Sequence, residues 1–186
     1  MDLRDMLKGD AASRIRDRKT TVVSPWLTLV ERAVVDGRGA SIGSFHGLLL
    51  ADYVSVIAVT ADGMLPLVRQ FRPAIERLTL EFPGGLLDKG EEPEHCALRE
   101  LSEEVGLQAP HVISLGELLP DSGRLGNRLW GFVAPLAEKQ ASWTPEPDLE
   151  ISWVSLATLE DYIRHGTFNH APHLAMFAVA RLRGLI

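Results

Sequence analysis

The sequence predicts an α+β protein of layered αβα type, and three observations carry that expectation. Short aliphatic runs of strand length dominate residues 26–82, a helical period covers roughly 13 residues from Pro93, and strand runs then return before two helical patterns near the C-terminus. The 186 residues suffice for one domain with a sizeable core but hardly for two full ones. Hydrophobic residues at 46% and charged residues at 24% are an ordinary globular composition.

Taken in order, the mixed-sign stretch MDLRDMLKGDAASRIRDRKT is expected to be partly mobile. WLTLVERAVV (Trp26 to Val35) reads as a strand, ended by the Asp36-Gly37 turn and followed by the apolar run Leu48 to Leu50. YVSVIAVT (Tyr53 to Thr60) and MLPLVRQF (Met64 to Phe71) flank Ala61-Asp62-Gly63, which predicts a β-hairpin. Pro66 has no N–H to donate, so one side of the second run is expected at an edge or bulge. Leu78 to Phe82 leads into the turn Pro83-Gly84-Gly85, and Pro93 and Gly106 supply the start and stop signals of a helix. Val112 to Leu119, Leu129 to Val133 and Ile151 to Val154 read as further strands, and Leu156 to Arg164 and Pro172 to Leu185 as helices. The last of these is apolar enough to be core packing.

Composition excludes several classes of function. Nineteen basic residues against 25 acidic ones give a net charge of -6, which disfavours a binder that neutralises nucleic-acid phosphates. Cys96 is the single cysteine, so neither an internal disulfide nor a cysteine zinc cage is available. No run approaches the roughly 18 apolar residues of a membrane span, and residues 1–24 carry no signal-peptide pattern, so the expected location is the cytoplasm.

The informative segment is GLLDKGEEPEHCALRELSEEVGL, Gly85 to Leu107. On a helix Glu100 and Glu104 stand one turn apart on one face, Glu103 borders it, and Ala97, Leu101 and Val105 form an apolar stripe that can dock on a sheet. Like charges at this spacing destabilise a helix, more so toward its C-terminus, and Arg99 is expected to offset one of them. Clustered carboxylates are either a solvated face or a site for a hard cation, since oxygen ligands select Mg2+, Mn2+ or Ca2+ over zinc.

The spacing decides between these. Gly85, Glu91, Arg99, Glu100, Leu101, Glu103, Glu104, Gly106 and Leu107 fill every position of G-x5-E-x7-R-E-U-x-E-E-x-G-U, where U is a bulky aliphatic residue. A chance match in a chain this long is on the order of 10⁻⁷. The segment resembles the Nudix box. That resemblance implies an αβα sandwich with a mixed sheet and magnesium-dependent hydrolysis of nucleoside diphosphate derivatives, with manganese as a substitute. It further implies Glu100 and Glu104 as principal metal ligands, Glu103 as an additional or water-mediated one, and the Gly84 carbonyl as another. Arg99 would orient glutamates and Glu91 would brace the loop; Gly106 also suits an ordinary helix C-cap.

The upstream residues Val68, Gln70, Phe71 and Arg72, followed by Glu81, Phe82, Pro83, Gly84 and Gly85, are similar to the ADP-ribose and ADP-sugar pyrophosphatase branch. That similarity implies a nucleotide-sugar substrate, with Arg72 contacting a phosphate or forming an ion pair that shapes the pocket, and Arg128 as a weaker candidate. It also implies a homodimer built through an N-terminal β region, so residues 1–50 are expected as a separate element before a catalytic domain at 51–186. Trp26 in that element either stacks on a base or packs as an ordinary core residue. The general base is expected from the loop TPEPDLEISW, with Glu146 first and Asp148 and Glu150 as alternatives. Pro120 to Gly123 falls early for the branch's S-P-G stretch and Asn127 stands where a glutamate is usual before Arg128. GDP-mannose and other nucleoside diphosphate derivatives therefore stay open, as does a non-catalytic nucleotide sensor, whereas no nucleic-acid or membrane partner is expected. His95, His165, His170 and His173 match no metal-ligand spacing and are expected at the surface or at helix ends.

Overall fold

The computed structural model describes residues 14–145 and 149–186. They fall into two compact units, one comprising residues up to Leu50 with Asp121–Gly126, the other Ala51–Pro120 with Asn127–Ile186.

The first unit is an antiparallel meander of β1 (Ile15–Ser24), β2 (Leu27–Val35) and β3 (Ser41–Leu49). Asp36 closes the β2–β3 turn, its carboxylate accepting from the N–H groups of Arg38 and Ala40. The 121–126 segment lies along β3, with Leu48 N–H donating to the Arg124 carbonyl at 2.7 Å and Gly126 N–H to the Leu48 carbonyl at 2.8 Å. Strand β1 takes up residues 15–20 of the stretch expected to be partly mobile, and residues 1–13 of it lie outside the described residues. Eight of its ten side chains are exposed, so no alternation marks it in the sequence.

The second unit holds β4 (Tyr53–Thr60), β5 (Met64–Arg72), β6 (Arg77–Glu81), β7 (Leu107–Gln108), β8 (Ile113–Leu118), β9 (Leu129–Lys139) and β10 (Glu150–Ser155), with helices α1 (Pro93–Val105), α2 (Leu156–Arg164) and α3 (Ala171–Leu182). Strand β9 pairs in parallel with β4 and antiparallel with β7 and β8, which makes that sheet mixed; β5 lies between β10 and β6 in the other. The Asp62-Gly63 turn is present, with Gly63 N–H donating to the Thr60 carbonyl, but β4 and β5 are not a paired hairpin. Both strands are largely buried, and each pairs elsewhere: β5 lies between β10 and β6, and β4 stands at the end of the other sheet beside β9. Pro66 fits because β6 pairs only with Val68 to Arg72, leaving β10 as the one neighbour at that position.

Alternation along β4 and β9 builds two cores. Val54, Val56, Ala58, Phe132 and Ala134 meet Cys96, Ala97, Leu101 and Val105 of α1. Ile57, Leu129 and Val133 turn the other way, onto Leu159 of α2 and Met176 and Ala180 of α3. Helix layers therefore cover both faces of the strands, giving an αβα sandwich. No described helix is long and apolar enough to cross a membrane.

Candidate active site

Helix α1 places the acidic residues. Pro93 starts it without needing an N–H partner, and Gly106 ends it at φ 63°, with its N–H bonded to the Leu101 carbonyl. Because Ala97, Leu101 and Val105 are buried against the sheet, the row Glu100, Glu103, Glu104 is fixed on a neighbouring face. Glu100 is itself only 8% exposed, Glu104 is half-buried and Glu103 is exposed.

The turn after β6 is pressed against this row. Gly84 N–H donates to Glu104 Oε2 at 2.8 Å. A Cβ at Gly84 would overlap the Val54 carbonyl of β4, and one at Gly85 would overlap the Glu100 carboxylate. Two successive glycines thus let the backbone sit between β4 and the acidic face, where any side chain would displace either the strand or Glu100.

Arg99 does more than offset a single charge. Its Nε and NH2 donate to the two oxygens of Glu91 at 2.9 and 3.0 Å, and its NH1 donates to Glu100 at 2.8 Å and Glu103 at 2.9 Å. One planar fork therefore joins three carboxylates, as an ammonium on a flexible stem would not. The Glu91 hydrogen bond, foremost among several, holds the guanidinium proton above its ordinary range, while the same bond draws the Glu91 carboxyl down to about 2. Glu91 also accepts from Asp88 N–H at 3.1 Å, tying the 85–91 loop to the helix.

The loop after β9 is anchored at the far end of α1. Gln140 N–H donates to the Gly106 carbonyl at 2.9 Å, and its amide donates to Ser102 Oγ at 2.8 Å. Trp143 Nε1 donates to the Glu103 carbonyl at 2.8 Å, and its indole lies so close over Gly106 that a Cβ there would be 2.5 Å from Cδ2. Gly106 is thus more than a C-cap: it leaves room for Trp143. Of the base candidates downstream, Glu146 and Asp148 lie outside the described residues, and Glu150 is paired with Arg69 across β10 and β5 at 2.5 Å.

Arg72 takes the ion-pair option, donating through Nε and NH2 to the two oxygens of Glu81 at 2.8 and 2.6 Å. Burial pushes the Glu81 carboxyl up, but the hydrogen bonds from Arg72 and Thr79 outweigh it and leave the group at about 2. Arg128 pairs with Glu117 at 3.3 Å and Asp52 at 3.9 Å, holding the starts of β4 and β9 and the end of β8 together. Trp26 belongs to the other unit, at the β1–β2 turn, with 72% of its surface exposed.

Of two histidines at the start of α3, His170 sits at a helix end as expected, whereas His173 is buried. His173 is 2% exposed and accepts from the Phe82 N–H through Nδ1 at 3.0 Å; His170, at the N-cap of α3, has its ring centroid 4.1 Å from that of His173. Burial drives the His173 imidazole down to about 3, so it is neutral at ordinary pH, and burial lowers His170 as well. Their i,i+3 spacing at a helix start was the available signal, since it puts both rings on one face.

Comparison with known proteins identifies a family for the chain. The NUDIX domain family matches residues 49–176. ADP-ribose pyrophosphatase of Bacillus subtilis (strain 168) is 36% identical over 114 residues, 60% of this chain and 60% of the relative, so the chain spans about three-fifths of that protein's length. ADP compounds hydrolase NudE of Escherichia coli (strain K12) is 30% identical over 128 residues, 68% of each chain. A crystal structure of an ADP compounds hydrolase shares the fold with a TM-score of 0.78 at 24% identity, covering 92% of this chain and 94% of that one. The matched span holds α1 with its glutamates, the glycine turn against them and the sheets on which they rest, and the chain belongs to the NUDIX family.

Proposed function

We propose that the protein hydrolyses the diphosphate bond of a nucleoside diphosphate sugar, ADP-ribose or a close relative, to a nucleoside monophosphate and a sugar phosphate. The observation that carries this reading is the joint seating of Glu100 and Glu104 against the Gly84-Gly85 turn, with Arg99 gripping Glu100 and Glu103. An all-oxygen donor set of this kind suits a hard divalent cation, Mg2+ or Mn2+. Glu100, Glu104 and the Gly84 carbonyl are the assigned ligands, with Glu103 as an additional one. When bound, the cations neutralise the diphosphate and acidify a water molecule.

The chain's own residues do the rest. Arg99 keeps adjacent carboxylates from repelling one another out of position, and Glu91 stiffens the loop that presents the Gly84 carbonyl. Trp143 and Gln140 tie the segment leading toward Glu146 to the end of α1; we assign Glu146 as the base that takes the proton from the attacking water. Arg72 acts through Glu81, shaping the pocket beside Gly84. The relatives' printed activities, ADP-ribose pyrophosphatase and ADP compounds hydrolase, support the substrate class.

We further infer a homodimer formed through the N-terminal sheet, which exposes Val22, Val23, Trp26, Ile42 and Phe45, each more than half accessible. An apolar surface of this kind marks an interaction site. In that arrangement Trp26 serves the interface or a nucleobase. The compartment we assign is the cytoplasm, where the buried Cys96 stays a thiol.

The test is a panel of nucleoside diphosphate sugars, ADP-ribose and GDP-mannose included, incubated with Mg2+ or with chelator while monophosphate release is followed. Magnesium-dependent release from at least one member is expected. No release from any member, with the protein folded and Mg2+ present, contradicts the reading.

A further inference from the structure

Beside Gly84 lies a cavity of about 180 Å³ lined by Tyr53, Ser55, Arg72, Glu81, His170 and His173. At about 30 Å³ per water it holds about six water molecules, the space of one sugar ring rather than a whole nucleoside.

Three classes of guest can be weighed by charge and by lone pairs. Glu81, His170 and His173 offer atoms within 4.8 Å of one another, a spacing that suits a metal ion. The hydrogen bonds argue otherwise. His173 Nδ1 accepts from Phe82 N–H, so in the neutral ring Nε2 carries the proton and has no lone pair to give. A metal-binding histidine shows the reverse pattern, donating from its second nitrogen. The Glu81 charge is also already balanced, by two hydrogen bonds from Arg72 and one from Thr79 Oγ at 2.6 Å. An anion fares no better: the Arg72–Glu81 pair is already neutral and both histidines are uncharged, so no net positive charge awaits a phosphate.

What remains is a neutral wall dense in donors and acceptors. Arg72 and His173 Nε2 donate, Glu81 keeps further lone pairs, and the Ser55 hydroxyl donates to the Pro83 carbonyl while its own lone pairs stay available. His170 Nδ1 is buried and has no hydrogen-bond partner. Buried polar atoms are normally satisfied, and His170, whose ring lines this wall, carries one that is not. Sugar hydroxyls both donate and accept while carrying no charge, and so suit such a wall.

Resting on the proposed hydrolysis, we propose that this cavity receives the hydroxyl-bearing sugar of the nucleoside diphosphate sugar, with His170 and His173 as its specificity-determining residues. The diphosphate would then lie at α1, and Gly84, which lines the cavity and bonds Glu104, would stand at the junction.

Two measurements test this. In the first, kcat/KM is compared for ADP-ribose and for a methyl ester of ADP, which presents the diphosphate without sugar hydroxyls, in the wild type and in His170→Ala. The expected result is a fall of at least tenfold in the ratio of the two values; an unchanged ratio overturns the inference while leaving the hydrolysis itself intact. The second needs no turnover: imidazole NMR signals of His170 and His173 are followed during titration with ribose 5-phosphate and, separately, inorganic phosphate. The signals are expected to move with the sugar phosphate alone. Equal movement with both makes the cavity an anion site, and no movement with either empties it of any role; each outcome overturns the proposal even if the nucleotide-sugar panel had failed on its own account.

Discussion

His173 gives the fold a calculable sensitivity to acid. Its ring is 2% exposed, receives the Phe82 N–H at 3.0 Å and lies among Phe82, Phe168 and His170 at centroid distances of 5.5, 6.3 and 4.1 Å. Burial depresses its pKa from 6.5 to about 3. Between those values the unfolded chain binds a proton that the folded chain refuses, so stability falls as pH drops through that window and is fully present above it. At pH 5 the unfolded state gains RT ln(1 + 10^1.5), about 2 kcal/mol, while the folded state gains almost nothing. For a chain of this size that is about 4–8 °C in Tm. The perturbation is His173→Asn, whose Oδ1 keeps an acceptor for Phe82 N–H but does not titrate. Urea unfolding of both proteins at pH 7 and pH 5, in chelator, isolates the residue, because every other group titrates in both. The wild type is expected to lose about 2 kcal/mol more than the variant across that interval. Equal losses would refute a buried neutral imidazole.

Two further substitutions probe the helix. Arg99→Lys exchanges a fork serving three carboxylates for a point charge, and a 10- to 100-fold loss of divalent-metal affinity is expected by calorimetry, the usual effect of removing an orienting partner; unchanged affinity would show that Arg99 orients nothing. Gly106→Ala meets both a left-handed φ and the Trp143 indole, and should cost about 2–3 kcal/mol in denaturant unfolding while red-shifting tryptophan emission as the ring is expelled; wild-type stability with unshifted emission would contradict the close packing.

The helix and the family it marks were legible in the sequence because one face of α1 obeys a helical period and the other a fixed spacing of acids. Its bounds fall where Pro93 and Gly106 put them. Strand β1 was not legible: a strand with most side chains in solvent carries no alternation. The Asp62-Gly63 turn was legible but the pairing was not, since local turn chemistry cannot say whether two buried runs join each other or separate neighbours. Arg99 illustrates a third limit. Spacing showed a cation beside a row of acids, but only folding of the 85–91 loop brings Glu91 back onto the guanidinium. The histidines were hidden for a related reason, because Phe82 and Glu81 reach them from 91 and 89 residues away in sequence.

The proposed hydrolysis depends on α1's acidic face gripping divalent cations, and metal binding tests that most directly. Calorimetric titration of Mg2+, repeated with Mn2+, should show saturable binding to the wild type and at least tenfold weaker binding to Glu104→Gln, whose amide oxygen can still accept from Gly84 N–H and so preserves the fold. Equal affinity in the two proteins, or no binding to the wild type, would contradict it.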